Sequence, residues 1–182
     1  MGCMKRVISR IGVILVSLIL FALVLTVAGA NSILSCSVSI KSAGQITSGQ
    51  DIGNVETDFL VLVNAERSSL GKNSLTVDSA LGNAAYLHSK DMGDNNYFSH
   101  TSQDGRTFDQ RIAAAGYTNY YSLGENIAYA YGSPSAAQVF AMWKNSPGHY
   151  ANMIGDFKDA GLGVYTVNGR TYYTLDLGRK SN

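Results

Sequence analysis

The feature that most constrains the fold of this chain is a change of hydrophobic period near its C-terminal end. Residues 160–167 and 170–177 are rich in β-branched and aromatic side chains, and only Asn168 and Gly169 separate them. An Asn-Gly pair between two such segments is the strongest short-range signal for a β-hairpin, because both residues of the favoured turn adopt positive φ. The sequence therefore predicts a hairpin here.

Helical signals precede the hairpin. Asn54 is the predicted N-cap of a helix over residues 55–70, with acidic residues in its first turn, where the helix dipole favours them. Asp78 is the predicted N-cap of a second helix, which ends at Gly93.

The middle of the chain adds shorter elements. Helices are expected over residues 107–115 and 135–144, and residues 127–131 form a candidate third strand. Because the predicted helices come first in the chain and most of the strands come last, the sequence predicts an α+β domain, in which helices flank a small antiparallel sheet.

Residues 1–30 have the composition of a targeting segment. A basic start is followed by the nearly continuous apolar run 11–27, and Ala28-Gly29-Ala30 fits the small-x-small cleavage pattern. The segment is either a cleaved signal peptide or an uncleaved N-terminal membrane anchor, since its apolar run is just long enough to span a bilayer. Both alternatives predict a domain that is secreted or anchored at the outer face of the cell membrane.

The rest of the chain divides in two by composition. Residues 31–54 are rich in Ser, Gly, Thr and Gln, which predicts a flexible linker, and residues 55–182 are the right size for one domain. Cys36 lies in the linker and is either a lipid anchor or a free thiol. Because Cys3 and Cys36 flank the apolar run, they lie on opposite sides of the membrane and no internal disulfide is expected.

The charge balance argues against nucleic acid as a partner. Without residues 1–30 the chain keeps 11 Lys and Arg against 13 Asp and Glu, with no basic stripe that would neutralise phosphates. A membrane contact is expected only through the N-terminal segment.

Three polar positions stand out in apolar surroundings. His149 falls in the first turn of a helix that Ser146 and Pro147 start, His100 follows an aromatic residue, and Glu125 precedes an apolar stretch. Two imidazoles and a carboxylate from three separate segments predict a site assembled by folding, with zinc or another divalent cation as the candidate ligand. His88 lies on an apolar helix face and is assigned to the core instead.

Five motifs in order resemble one known family. The cysteine-rich secretory protein, antigen 5 and pathogenesis-related superfamily, also called SCP or CAP, has motifs similar to VNAER at 63–67, FSH at 98–100, GENI at 124–127, SPGHYANM at 146–153 and YYTLDLG at 172–178. The match is closest to the cysteine-poor prokaryotic branch of that superfamily.

The resemblance implies an α-β-α sandwich with a cleft lined by histidines and acidic residues, which binds divalent metal in some members. It carries over His100, Glu125 and His149 as metal-site residues. Ser146 stands where many eukaryotic members have a second glutamate, and Leu175 replaces a glutamine usual before the acidic residue kept here as Asp176. The acidic set is therefore incomplete.

These observations favour a ligand-binding module with a weak divalent-metal site. The expected partner is an extracellular lipid, peptide or cell-wall component. The alternative is a metal-dependent, peptidase-like hydrolase with Glu125 as general base. No nucleophile motif such as Gly-x-Ser-x-Gly is present, which argues against an enzyme.

Overall fold

The computed structural model of the chain describes residues 50–181. The predicted signal or anchor segment, Cys36 and the linker up to residue 49 lie outside these residues. The described elements, in chain order, are α1 (Gln50–Ser69), β1 (Thr76–Val77), α2 (Ser79–Asp94), α3 (Phe108–Ala114), β2 (Tyr120–Tyr131), α4 (Ala136–Lys144), α5 (Pro147–Met153), β3 (Asp159–Val167) and β4 (Arg170–Lys180).

The predicted hairpin is present as β3 and β4. Its turn residues Asn168 and Gly169 have φ of 50° and 72°, and the strands pair antiparallel from Val167↔Arg170 outward. β2 pairs antiparallel with β4 on the other side. The hairpin thus forms the centre of a sheet whose order is β1-β3-β4-β2.

The small antiparallel sheet that the sequence predicts is extended by one parallel strand, because β1 pairs parallel with β3. β1 has only two residues, both exposed, so it is too short to show a period of two in the sequence. The sheet is mixed, and the fold class α+β is confirmed.

Helices cover both faces of the sheet, which makes the domain an α-β-α sandwich. The α2 side carries Ser89, which donates to Gly163 O at 3.0 Å and to Thr174 Oγ1 at 2.9 Å. The opposite face packs against α1, α4 and α5 around Phe59 and Trp143, whose ring centroids lie 5.3 Å apart. Burying apolar area in both layers provides the main stabilisation.

Two glycines of β3 bring α2 close to the sheet. A Cβ added to Gly161 would lie 2.0 Å from the Gly82 N, and one added to Gly163 would lie 2.0 Å from the Tyr86 N. Because the obstructing atoms belong to the α2 backbone, no side-chain rotation relieves the overlap. The absence of side chains at these positions sets the distance between α2 and the sheet.

Helix boundaries agree with prediction except at the start of α1. Asp78 is the N-cap of α2, and its Oδ1 accepts from Ala80 N at 2.9 Å. α1 begins at Gln50 rather than residue 55. The Asn54 N-cap prediction was therefore wrong, and the last five residues assigned to the linker are helical. Within the described part of the chain, no helix combines the length and apolar character needed to cross a bilayer.

Candidate functional site

Glu125 lies inside strand β2 rather than beside it. Its cross-strand partner is Asp176 of β4, and directly opposed residues of an antiparallel pair point to the same face. That face is the one covered by α2. Only 1% of the Glu125 side chain is exposed, so its carboxylate requires partners inside the protein.

Both carboxylate oxygens of Glu125 have such partners. His100 Nδ1 lies 2.7 Å from Oε1, and Arg111 Nη2 donates to Oε2 at 2.6 Å. A carboxylate only accepts, so Nδ1 of His100 carries the proton and donates. Arg111 also donates from Nη1 to the His100 backbone O at 2.9 Å. The guanidinium thus holds both the carboxylate and the loop that presents the histidine.

Arg111 is a site residue that sequence reasoning missed. It lies on α3 with 6% of its side chain exposed, next to the fully buried Ile112. The signal that could have identified it is an arginine directly before the apolar residues 112–114 of a short helix, since arginine is rarely buried unless it is paired. Its partner is 14 residues away in the chain, so the signal by itself does not name Glu125.

Asp176 adds a second buried carboxyl group beside Glu125. Burial, and next the negative charge of Glu125, raise the pKa of Asp176 well above its ordinary value. Arg111 acts in the opposite direction but less strongly. The shift favours the protonated form of Asp176, because two adjacent buried carboxylates repel each other when both are charged.

His149 lies in the first turn of α5, as predicted, but Ser146 has a different role there. Ser146 is the N-cap residue, yet its side chain makes no capping hydrogen bond. Its Oγ instead lies 2.9 Å from His149 Nδ1. Burial, and to a lesser degree the charge of His100, lower the pKa of His149. The neutral ring predicted from the sequence is supported, with burial as its main cause.

β2 is the edge strand of the sheet, and α4 and α5 cover its free backbone groups. Trp143 Nε1 donates to Ile127 O at 3.3 Å, and Asn152 Nδ2 donates to Glu125 O at 3.2 Å. Asn126 Nδ2 donates to the His149 O at 2.9 Å. Adjacent β2 residues on opposite faces of the sheet therefore hold the two histidines. The Glu125 carboxylate contacts the imidazole of His100, and the Asn126 side-chain amide donates to the backbone carbonyl of His149.

His88 is buried, as the sequence indicated. It is 0% exposed, and its Nε2 lies 2.9 Å from Ser99 O. A carbonyl oxygen only accepts, so Nε2 carries the proton. Burial is the largest cause of a lowered pKa for this ring. His88 supports the segment that carries His100 rather than joining the histidine pair.

The predicted site residues are brought together in part. His100 contacts Glu125 directly, and His149 is close enough to His100 for its charge to affect the His149 pKa. Among residues 50–181, no group of three or more His, Cys, Asp or Glu side chains is placed to hold a metal ion. The three-ligand set stays a prediction, and the geometry makes Glu125 the partner of His100 Nδ1.

The lowered pKa of His88 predicts a loss of stability in acid. An unfolded histidine titrates near a pKa of about 6.5, so below that pH the unfolded state binds more protons than the folded one and the free energy of unfolding decreases. Urea unfolding at several pH values between about 7.5 and 5.5 measures this loss. We expect a shallower pH dependence in His88→Gln, whose amide can still donate to Ser99 O. Identical slopes for the two proteins would contradict the assignment.

A family model matches the part of the chain that contains this site. The profile of the Cysteine-rich secretory protein family, abbreviated CAP, matches residues 60–177. This range runs from α1 to β4 and includes His100, Glu125, His149 and the buried Arg111.

Individual relatives show the same similarity. A solved extracellular protein containing an SCP domain, from Bacillus anthracis str. Ames, is 31% identical with a TM-score of 0.63, and the match covers 76% of this chain and 45% of that one. The uncharacterized membrane protein YlbC of Bacillus subtilis (strain 168) is 36% identical over 124 residues, which are 67% of this chain and 34% of YlbC. This chain therefore spans about a third of YlbC and less than half of the Bacillus anthracis protein.

A more distant structure supports the fold alone. An outer surface protein of Borrelia burgdorferi is 23% identical with a TM-score of 0.62, and the match covers 69% of this chain and 92% of that one. With the family profile spanning α1 to β4, these similarities show that the chain belongs to the Cysteine-rich secretory protein family, the SCP/CAP superfamily.

Proposed function

We propose that this chain is an extracellular or cell-surface ligand-binding domain that holds a divalent cation weakly between His100 and His149. One observation carries the proposal: the Nδ1 atom of each histidine is engaged, by Glu125 at 2.7 Å and by Ser146 at 2.9 Å. No hydrogen bond to either Nε2 is present among the described residues. These atoms are therefore the donors that a cation would use.

The Glu125–His100 contact resembles the support that histidine ligands receive in metal sites. A ligating imidazole usually donates its other N–H to a carboxylate, which fixes the tautomer and increases the basicity of the ligating nitrogen. Glu125 does this for His100, and Arg111 holds Glu125 in place from its other side. The donor set fits a cation that accepts imidazole, such as zinc.

Two imidazoles alone favour weak binding with open coordination positions. Bound zinc would supply Lewis acidity to an oxygen of an external ligand. Phe98, two residues before His100, and Tyr129 of β2 are 47% and 41% exposed, with ring centroids 4.9 Å apart. These rings offer apolar surface to a lipid, peptide or cell-wall component, the ligand classes that we propose.

The proposed location is extracellular, either secreted or anchored at the outer face of the membrane. It rests on the predicted targeting segment at residues 1–30, which lies outside the described part of the chain. The names of the two relatives that are more than 30% identical, one an extracellular protein and one a membrane protein, support it.

Isothermal titration with zinc tests the metal site. We expect wild type to bind, the double variant His100→Ala/His149→Ala to lose binding, and Asp104→Asn to bind like wild type, because Asp104 pairs with Arg106 at the surface. Glu125→Gln should weaken binding by about 10–100-fold, the usual cost of removing the group that orients a histidine ligand.

The outcomes separate the possible roles. Equal isotherms for wild type and the double histidine variant would refute the metal site. Complete loss of binding in a folded Glu125→Gln would make Glu125 a direct ligand. Circular dichroism of each variant establishes that a loss of binding is not a loss of folding.

Hydrolysis is a second candidate, for which we propose His100 rather than Glu125 as the general base. The Glu125 side chain is 1% exposed and both oxygens are engaged, whereas His100 is 52% exposed and oriented by that carboxylate. An imidazole oriented in this way is a typical general base. Turnover of a peptide library that is abolished in His100→Ala would support hydrolysis, and absence of turnover with any added divalent metal would refute it.

A further inference from the structure

Exposed aromatic rings follow one face of β2 towards the hairpin turn. Tyr129 and Tyr131 are two residues apart in the strand, so they point to the same face, about 7 Å from each other along the chain. Tyr131 is 75% exposed, and Phe98 packs edge-on against Tyr129. Phe98, Tyr129 and Tyr131 together form what we call the aromatic surface. Tyrosines at a surface offer a rigid apolar ring with a polar hydroxyl, which suits a ligand that is itself partly apolar and partly polar.

Arg170 of β4 lies against the aromatic surface. Its cross-strand partner is Tyr131, and its Cζ lies 4.9 Å from the ring centroid of Tyr129 and 5.2 Å from that of Tyr131. Its Nη2 donates to the Tyr131 hydroxyl and its Nη1 donates to the Tyr172 hydroxyl, both at 3.1 Å. Because these contacts already hold the guanidinium in place, a ligand that binds it orders little further side-chain motion.

The charge of Arg170 has no carboxylate partner within the described part of the chain. Arg179, near the other end of β4, instead pairs with an aspartate. Asp94 lines the same cavity of about 170 Å³ as Arg170, but both of its oxygens are engaged, by Lys90 and by the Tyr165 hydroxyl. The aromatic surface therefore carries an unpaired positive charge, which is complementary to an anionic group.

The same features favour a glycan over a lipid as the anionic ligand. Anionic membranes attract clusters of Lys and Arg, whereas the charge that lies against these rings is a single arginine. The cavity beside Arg170 is smaller than the pockets that enclose a whole ligand, so a ligand must lie across the rings. A sugar can do so, because its C–H face packs on an aromatic ring while its hydroxyls stay in water.

We propose that the aromatic surface and Arg170 form a binding site for an acidic glycan. One sugar ring stacks on Tyr131, and its carboxylate pairs with the Arg170 guanidinium. Phe98 and Tyr129 contact the next sugar of the chain. The choice of ligand rests on the proposed ligand-binding function, of which it selects one ligand class, but sugar binding needs no cation between the histidines.

Isothermal titration of the full chain tests this site, in a polyoxyethylene detergent because that detergent carries neither sugar nor charge. The probes are a hyaluronan tetrasaccharide, which contains glucuronate, the neutral sugar chitotetraose, and glycerol 3-phosphate, which represents a lipid headgroup. We expect saturable binding of the hyaluronan tetrasaccharide. The other two probes should bind at least about tenfold more weakly, because chitotetraose lacks the carboxylate and glycerol 3-phosphate lacks a ring that stacks.

Two variants locate the binding site on the protein. Arg170→Gln should reduce binding of the hyaluronan tetrasaccharide to the level of chitotetraose. Tyr131→Ala should weaken binding of both sugars by about two- to tenfold, the usual contribution of one aromatic contact. Tyr121→Ala is the matched control, because Tyr121 is a 77% exposed tyrosine of the same strand with Arg179 over its ring at 5.8 Å. Since that arginine is already paired with a carboxylate, this variant should bind like wild type.

The outcomes separate the glycan site from the metal site. Sugar binding should be unchanged in EDTA and in His100→Ala/His149→Ala, so loss of zinc binding with sugar binding intact would refute the metal site alone. Absence of saturable sugar binding, equal binding of the two tetrasaccharides, glycerol 3-phosphate binding as tightly as the acidic sugar, or equal losses in Tyr131→Ala and Tyr121→Ala would each overturn the glycan site. The comparison of probes needs only wild type, so it decides the question even when a variant does not fold.

Discussion

Glu125→Ala is expected to lower the free energy of unfolding by about 3–5 kcal/mol. The substitution leaves the Arg111 guanidinium buried, with 6% of its side chain exposed and without its carboxylate partner. It also removes the acceptor of His100 Nδ1–H. Urea unfolding at neutral pH measures the loss, and His100 should become more mobile by NMR.

A surface ion pair of similar length is the matched control. Arg106 Nε and Asp104 Oδ2 are 2.7 Å apart, close to the 2.6 Å of the buried pair, but both side chains are 53% exposed. Asp104→Ala should therefore change stability little, since solvent already screens the pair. Equal losses for Asp104→Ala and Glu125→Ala would show that burial does not determine the effect.

The double variant Arg111→Met/Glu125→Leu separates the two contributions to the loss. Replacing both partners removes the unpaired charge. The double variant should therefore regain most of the free energy of unfolding that Glu125→Ala loses relative to wild type. Zinc binding should still be weakened, because the carboxylate that orients His100 is absent.

Gly163→Ala is expected to cost about 3 kcal/mol or more, or to prevent folding. The added methyl carbon would lie 2.0 Å from the backbone N of Tyr86 and 2.1 Å from the Ala85 carbonyl carbon. α2 must then move away from the sheet, which also breaks the 3.0 Å hydrogen bond from Ser89 to the Gly163 carbonyl. Thermal and urea unfolding measure the effect.

Gly148→Ala is the control for this substitution. Gly148 lies inside helix α5, and an added Cβ there meets no atom within 4 Å. Alanine has the higher helix propensity, so this variant should be neutral or more stable by up to about 1 kcal/mol. A Gly163→Ala protein as stable as wild type would mean that α2 does not lie as close to β3 as described.

Local sequence signals predicted most elements of the fold. Asn168-Gly169 located the hairpin, and Asp78 and Ser135 were correctly placed at the N-terminal ends of α2 and α4. These signals succeed because turns and caps depend on neighbouring residues alone. β1 was missed because its two residues are held by pairing with β3, more than 80 residues later in the chain.

The candidate site was predictable in its members but not in its contacts. His100, Glu125 and His149 were recognised from their motifs, whereas Arg111 was not. Pairing Glu125 with Arg111 requires knowing which face of β2 each residue occupies. That depends on the register with β4, and a shift of one residue would exchange the environments of Glu125 and Asn126.

The amino-acid sequence by itself determined the family and the fold class, and it predicted His100 and His149 as site residues, because these inferences follow from local patterns and their order along the chain. Only the tertiary structure decided that Ser146 contacts His149 instead of capping its helix. It likewise placed Glu125 between His100 and Arg111 and set the buried His88 against the Ser99 carbonyl. The physical reason is that side-chain partners in this domain come from different layers of the sandwich, and sheet register and layer packing bring them together.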